Sequence, residues 1–418
     1  MKRVVITGLG AVTAVGEGAL PLWEAVRNGR SGINFVHFNG GSGDWKTIGA
    51  RISDFDPEKY ITQRKSIKVM ARDIQLAVAG ASLAIRDSGV QNTSFDRERF
   101  GVIVGSGVLN HELDELAYSV QQSIGEDGKL DLKKFGDAGL SNLFPLWLLK
   151  YLPNMPACHI SILFDLHGLN NTITTGASGG LQAVGEAFRI IQRGDADRMV
   201  AGAAESKINP VGLSEYKMLG AFSGSLDGDP KKNYKPFHSG SKGFIVGEGS
   251  GFVILEELEC AKNRGAKIYA EIAGFGSSSR DGHAIAMKAA LRDAHIPASD
   301  VKYLQASGIG ISLEDEREMG AIHEVFGEAA KNMHVSASKP VTGFTGFSAG
   351  VLDVAISTMA LQAQEVPPIL NFEKSHAAGF IVPTNTAASQ KMDYAMTNAF
   401  GLNGQSASVI TRLYKEGR

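Results

Sequence analysis

The sequence predicts a layered α/β protein with partly parallel sheets. Fifty glycines occur among the 418 residues, and many directly follow short β-branched runs, as expected where strands end in loops. Helical patterns alternate with these runs along the chain, which is typical of βα units. With 43% hydrophobic residues the chain can form a large core, and its length suggests two or three domain-sized units.

The individual elements follow from local patterns. Strand candidates are short apolar runs, at residues 4–7, 101–105, 172–175, 199–202, 252–256, 267–273, 303–305 and 392–398. Apolar residues at helical spacing predict helices over 70–87 and 179–193, the second ending at Gly194. The charged segment 257–267 is expected to cross the surface between two halves. The predicted units are therefore 1–256 and 257–418.

Composition excludes several classes of function. Lys plus Arg number 42 against 44 for Asp plus Glu, which gives a net charge of -2. The protein as a whole therefore does not attract nucleic acid or an acidic membrane electrostatically. Two isolated cysteines, Cys158 and Cys260, fit a reducing compartment and form no zinc motif. Glycines interrupt the apolar run after Met1, and no uninterrupted apolar stretch is long enough for a bilayer. We expect a cytoplasmic protein without a metal or cofactor.

One motif leaves a hydrolase or acyltransferase open. Residues 176–180 read GASGG, which satisfies GxSxG between a predicted strand and helix and would make Ser178 the nucleophile. Such an enzyme also needs an acid and a histidine. Six downstream histidines are available, none marked by a motif: His238, His283, His295, His323, His334 and His376. A turn of small residues packed against a helix is the favoured interpretation.

Several longer segments carry a family resemblance. They are VVITGLGAVTAVG (4–16), GEAFRIIQRGDADRMVAGAAES (185–206), KGFIVGEGSGFVILEELECAKNRGAKIYAEIAGFG (242–276), VSASKPVTG (335–343) and NAFGLNG (398–404). In this order they resemble β-ketoacyl-[acyl carrier protein] synthase II over nearly the whole chain. The resemblance implies a thiolase-like five-layer α/β/α/β/α sandwich made of two duplicated halves.

The resemblance also implies that the reaction centre is degenerate. In that family a cysteine at the start of a buried helix accepts the acyl chain, and two histidines support decarboxylation and condensation. The corresponding positions here hold Ala177, Ser307 and Phe344. A methyl group cannot be acylated, and serine cannot replace imidazole near neutral pH. Three supporting polar positions are retained: Lys339, Asp315 and Glu318.

Similar proteins without the cysteine include chain length factors, which pair with an active ketosynthase in type II polyketide and aryl-polyene-like systems. Many of them carry glutamine at the cysteine position, where this chain has alanine. The resemblance therefore implies a non-catalytic subunit of a heterodimer that shapes the acyl tunnel of its partner in polyketide or fatty-acid-like biosynthesis. A homodimeric pseudo-ketosynthase scaffold is the alternative within the family.

Contacts with partners are expected in three places. Residues 171–175 should pair with their counterpart in a partner subunit across a pseudo-twofold axis. Large apolar side chains are expected at the interface and acyl tunnel, namely Leu146, Trp147, Leu148 and Leu402, with Phe344. Among them, Trp147 in particular is expected to set how long a chain the partner can build. Positive residues near one helical face are expected to dock an acidic acyl carrier protein, namely Arg64, Lys65, Lys68 and Arg72.

Overall fold

The computed structural model describes residues 1–38, 44–109, 111–279, 282–373, 379–384 and 386–416. Within them the strands are β1 (Val4–Thr13), β2 (Gly16–Glu17), β3 (Asn34–Phe38), β4 (Trp45–Gly49), β5 (Phe100–Gly105), β6 (Asn170–Ile173), β7 (Arg198–Glu205), β8 (Gly249–Glu257), β9 (Ala270–Ser278), β10 (Val301–Gln305), β11 (His334–Ser336), β12 (Glu365–Val366), β13 (Ala388–Ser389), β14 (Tyr394–Phe400) and β15 (Ser406–Leu413). The α-helices are α1 (Ala19–Arg27), α2 (Arg64–Ile67), α3 (Arg72–Ser88), α4 (Leu113–Gln121), α5 (Leu132–Lys134), α6 (Met155–Phe164), α7 (Gly179–Arg193), α8 (Pro210–Met218), α9 (Leu258–Asn263), α10 (His283–Ala294), α11 (Ser312–Phe326), α12 (Lys339–Thr342) and α13 (Ala349–Ala363).

The main sheet consists of two arrays with the same strand order. The first array runs β1-β8-β7-β5-β6 and the second runs β9-β15-β14-β10-β11. If the five strands of each array are numbered by their order in the chain, both arrays read first, fifth, fourth, second, third across the sheet. The fifth strand is antiparallel to both neighbours, and the other pairs are parallel. A three-residue pairing of β1 with β9 joins the arrays. The fold is therefore duplicated.

The helices complete five layers. Helices α7 and α13 pack against each other and contact strands of both arrays. On the outer sides, α3 and α6 cover the first array and α10 covers the second. Helix α11 packs beside α10 and contributes to the same apolar cluster. Residues 346–363 have the length and hydropathy of a membrane span, but 78% of that stretch is buried inside the protein. This is the predicted α/β/α/β/α sandwich, with helices α7 and α13 at its centre.

The eight predicted strands and two predicted helices all overlap observed elements, and β1 is longer than predicted. The glycine after residue 7 suggested a strand end, yet β1 continues to Thr13. A side chain at Gly8 or Gly10 would come within 2.2 or 2.0 Å of the α3 backbone. These glycines therefore permit close helix packing and do not end the strand. The segment 257–267 contains helix α9, and the unit boundary at residue 256 stays a prediction.

Candidate functional site

The first candidate position, Ala177, lies in a tight turn before α7. Gly176 has a φ of 65°, which favours glycine. The buried Ser178 hydroxyl donates a hydrogen bond to the Thr175 carbonyl (3.0 Å) and accepts one from the Gln182 side chain (3.2 Å). The half-buried Ala177 packs against an apolar cluster that also includes Phe344 and Leu402. The start of α7 therefore presents a methyl group to this cluster.

The same turn occurs a second time, before α13. The sequences are TGASGG at 175–180 and TGFSAG at 345–350. Gly346 also has a positive φ, of 51°, and the Ser348 hydroxyl donates to the Thr345 carbonyl at 3.0 Å. Both serines close a turn of the duplicated fold. Neither recorded hydrogen bond of Ser178 involves a histidine, and His376 lies outside the described residues. This geometry favours the structural turn over a nucleophile.

The second candidate position, Ser307, lies in the loop after β10. Its hydroxyl accepts a hydrogen bond from the Phe400 N–H at 3.2 Å. Phe400 ends β14, and β14 contacts the turn that carries Ala177. The Glu318 carboxylate accepts the N–H groups of Ser307 (2.9 Å) and Gly308 (2.8 Å). The Ser307 loop is therefore fixed beside the start of α7.

Two buried carboxyl groups of α11 position this loop. Asp315 accepts hydrogen bonds from the N–H groups of Phe237 (2.7 Å) and Gly310 (3.1 Å). Burial raises the pKa of Asp315 to about 7 although these N–H groups oppose the shift. Burial also raises the pKa of Glu318, against hydrogen bonds from Gly308 and Ser307. Both acids act on the backbone, which is a supporting role.

The third candidate position, Phe344, is filled by a packed aromatic ring. Its ring centroid lies 4.5 Å from that of Phe244 and 6.3 Å from that of Tyr216. The Phe344 N–H donates to the Ile245 carbonyl at 2.8 Å, which fixes the backbone. The side chain is buried, as are both neighbouring rings. Phe344 therefore occupies its place as part of the core.

Lys339 belongs to a buried polar chain. Its ammonium group forms an ion pair with Asp353 of α13. The other Asp353 oxygen accepts hydrogen bonds from Ser338 (2.5 Å) and Gln305 (2.7 Å). Gln305 in turn accepts a hydrogen bond from Tyr303 at 2.5 Å. The Asp353 carboxylate therefore balances the charge of Lys339 inside the protein, and the ion pair joins α12 to α13.

Together these groups limit the chemistry at the candidate site. The three positions offer a methyl group, a hydroxyl group and a phenyl ring, so none supplies a thiolate or an imidazole. In the part of the chain that the structure describes, no group of three or more His, Cys, Asp or Glu side chains could hold a metal ion. The side chains at these positions instead pack in the core or hold backbone segments in place.

The predicted tunnel residues divide into two groups. Trp147 is half-buried, and its ring packs against Tyr151 (5.2 Å between centroids) and His111 (4.9 Å). Leu146 and Leu148 are 47% and 59% exposed and do not share this core position. Leu402 packs with Ala177 in the cluster around Phe344. Trp147 thus belongs to its own subunit's core, whereas the two leucines are available to a partner.

Exposed apolar side chains are concentrated in the part of the sequence that leads into the edge strand β6. Thirteen of the 23 large hydrophobic side chains that are exposed in the described residues fall within 108–169. Strand β6 pairs with β5 on one side and is the last strand of the sheet. Apolar patches of this kind mark contact surfaces, and an unpaired strand edge can accept another strand. Sequence patterns located β6 but missed the extent of this surface.

The prediction of one basic helical face was wrong. Residues 64 and 68 precede residue 72 at helical spacing, but α2 ends at Ile67 and α3 begins only at Arg72. The Arg72 guanidinium forms two hydrogen bonds of 2.8 Å with the buried carboxylate of Glu248. Arg72 therefore has a structural partner. Arg64, Lys65 and Lys68 remain on the surface, although Arg64 pairs with Glu58 at 2.6 Å.

Comparisons with known proteins agree with this architecture. Residues 1–261 match the beta-ketoacyl synthase N-terminal domain, and residues 266–373 match the C-terminal domain. A 3-oxoacyl-[acyl-carrier-protein] synthase 2 of Vibrio harveyi is 35% identical, and the alignment covers 99% of each chain.

Two solved structures are also similar. One is a type II PKS acyl-carrier protein in complex with its ketosynthase, AntDE:AntF, at 26% identity with a TM-score of 0.79, covering 99% of this chain and 100% of that one. The other is the ishigamide ketosynthase/chain length factor, at 23% identity with a TM-score of 0.84 and the same coverage, which is a likeness of fold alone. By its domain matches and its full-length relatives, this chain belongs to the β-ketoacyl synthase family.

Proposed function

We propose that this chain is a non-condensing subunit of chain length factor type, which pairs with a catalytic ketosynthase and helps to shape the acyl tunnel of that partner. The main support is Phe344. Its ring packs against those of Tyr216 and Phe244 at a position where, by family resemblance, an active enzyme has histidine. A buried ring that contributes to the core cannot exchange protons, so condensation would depend on a partner.

The surface of the molecule supports pairing. The exposed apolar side chains of 108–169 and the free edge of β6 lie in one stretch of sequence that leads directly into the Ala177 turn. An obligate subunit interface is large and apolar, resembling a domain core cut in two. The exposed Leu146 and Leu148 would then contact the partner. An acyl carrier protein would meet the pair through Arg64, Lys65 and Lys68.

Two other functions are less well supported. A homodimeric pseudo-ketosynthase would use the same apolar surface. Neither of its subunits would carry a catalytic centre, so the pair would have no acyl tunnel of an active enzyme to shape. A serine hydrolase or acyltransferase would require an accessible Ser178, whereas this hydroxyl is buried and closes a turn. The duplicated turn around Ser348 has the same hydrogen bond, which supports a structural role for both serines.

The proposal is tested by reconstitution. The purified chain is incubated with acyl-loaded and malonyl-loaded carrier protein, alone and after co-expression with ketosynthases of the same genome. We expect no condensation by the chain alone, and a stable 1:1 complex in native mass spectrometry with a ketosynthase whose products change in length. Condensation by the chain alone would refute the proposal. Stable acylation of Ser178, located by peptide mapping, would instead establish the acyltransferase alternative.

A further inference from the structure

A positively charged pocket lies beside the β3–β4 hairpin. It has a volume of about 370 Å³, and we call it the hairpin pocket. Three short segments form its walls, namely residues 14–15, 30–37 and 49–53. The charged or titratable side chains among its lining residues are Arg30, His37 and Arg51. We propose that the hairpin pocket binds a small organic phosphate, independently of the ketosynthase-like site.

The two arginines of this pocket have no carboxylate partner among the described residues. In the described residues, neither Arg30 nor Arg51 has a carboxylate within salt-bridge distance, whereas nearby Arg27 binds Glu365 through two side-chain hydrogen bonds. No acidic residue is among the lining residues of the hairpin pocket. Like charges that share a cavity repel each other, and a bound anion relieves this repulsion.

The hairpin adds further positive charge and fixes one guanidinium. Lys46 lies opposite His37 in the strand register, which places its ammonium group on the same face of the hairpin as His37. The Arg51 guanidinium lies over the Phe38 ring, 5.6 Å from its centroid. Stacking restricts the orientation of Arg51, so less side-chain entropy is lost when it binds an anion.

The walls of the pocket are anchored to the core. The Ser31 hydroxyl donates to the Pro340 carbonyl at 2.6 Å, and the Gly32 N–H donates to the Val341 carbonyl at 2.8 Å. On the hairpin side, Val36 is buried, and a side chain at Gly49 would come within 3.1 Å of Ile208. The pocket is therefore a preformed concavity, as small-molecule sites usually are.

The chemistry of the lining defines the ligand class. A guanidinium group matches the geometry of a phosphate and can bind two of its oxygens, and Arg30 and Arg51 supply two such groups. The half-exposed ring of Phe35 offers an apolar surface to the remainder of the ligand. A cavity of about 370 Å³ suits a compact molecule with one phosphate and a small flat body. Adenosine monophosphate is a suitable probe.

Isothermal titration of the whole chain tests this proposal, with inorganic phosphate, adenosine monophosphate and adenosine as separate ligands. We expect both phosphate-containing ligands to bind and adenosine not to bind. Arg30→Gln and Arg51→Gln should each weaken binding about tenfold, because each removes a charge-assisted contact. Arg292→Gln is the matched control, since Arg292 is an exposed arginine of α10 outside the pocket. Unfolding curves of all variants confirm that they are folded.

Two results would overturn the proposal. One is the absence of saturable binding of both phosphate-containing ligands to the unmodified chain. The other is an affinity that Arg30→Gln and Arg51→Gln leave unchanged, or that Arg292→Gln lowers equally. As an independent measurement, the imidazole proton resonances of His37, assigned with a His37→Gln variant, should shift on addition of phosphate. Failure of this test leaves the ketosynthase-partner proposal intact, because the two rest on different residues.

Discussion

Lys339 and Asp353 form an ion pair in the interior of the protein, where the two side chains are 2% and 0% exposed. Replacement of one partner leaves the other charge buried without compensation. We expect Lys339→Met to lower the free energy of unfolding by about 3–5 kcal/mol, as measured by urea denaturation. The double variant Lys339→Met/Asp353→Leu should recover part of that loss. Lys331→Met, which breaks the exposed pair with Glu328, should cost less than about 1 kcal/mol.

The buried Asp315 makes stability depend on pH. Burial raises its pKa in the folded protein to about 7, above the usual value of 3.8. A raised carboxyl pKa contributes stability that is complete below pH 3.8 and is lost as pH rises through the folded pKa. Unfolding midpoints should therefore decrease between about pH 4 and pH 7, and the contribution of Asp315 should level off above pH 7. Asp315→Asn should flatten this decrease, and an unchanged slope would contradict the role of Asp315.

Trp147 and Leu148 should respond differently to truncation. Because Trp147 packs against Tyr151 in the core of its own subunit, Trp147→Ala should lower stability by about 3–5 kcal/mol. Leu148 is exposed, so Leu148→Ala should change stability by less than about 0.5 kcal/mol. Products of the reconstituted pair should become longer with Leu148→Ala if this side chain contacts the acyl tunnel. Longer products from Trp147→Ala at unchanged melting temperature would restore Trp147 as the length determinant.

Carrier docking should depend on Arg64 and Lys68 and not on Arg72. Charge reversal at Arg64 and Lys68 should weaken binding of an acidic carrier protein, and the effect should diminish at high salt because both groups are on the surface. Arg72→Glu should instead destabilise the fold, since it places two carboxylates together at the buried Glu248. Surface plasmon resonance at several salt concentrations measures the first effect, and thermal unfolding measures the second.

Subunit pairing should require the free edge of β6. The N–H of Thr172 bonds to the side chain of Asn171, its own neighbour in sequence. Thr172→Pro removes this donor and obstructs pairing with another strand, so we expect a shift from dimer to monomer in light scattering. Thr172→Val keeps the N–H and should remain dimeric. A Thr172→Pro protein that remains dimeric would exclude this edge from the interface.

Sequence patterns predicted the layered fold well because they report local structure. The helix over 179–193 and its end at Gly194, which has a φ of 88°, follow from spacing and from the conformational freedom of glycine. The basic face at 64–72 was wrong because spacing alone does not show that a helix is interrupted. The contact of Arg72 with Glu248 joins residues 176 positions apart, and no local pattern reveals such a pair.

Parts of the candidate site also depended on distant contacts. The Phe344 position could be assigned by resemblance, but its packing against Tyr216 and Phe244 comes from three separate segments. Sequence patterns did not predict the exposed apolar side chains of 108–169, for another reason. A sequence shows which residues are apolar, whereas only the folded chain shows which of them its own core leaves uncovered.

In the repeated TGxSxG turn, the residues that determine the backbone path are different from the residue at the candidate reaction position. In both copies the glycine and the serine determine the path of the backbone, while the residue between them is Ala177 in one copy and Phe347 in the other. The same bend thus accommodates the smallest chiral side chain and one of the largest. The side chain at position 177 can therefore change during evolution without a change in the helix that follows. The side chain at this position and the turn that holds it can thus vary independently of each other.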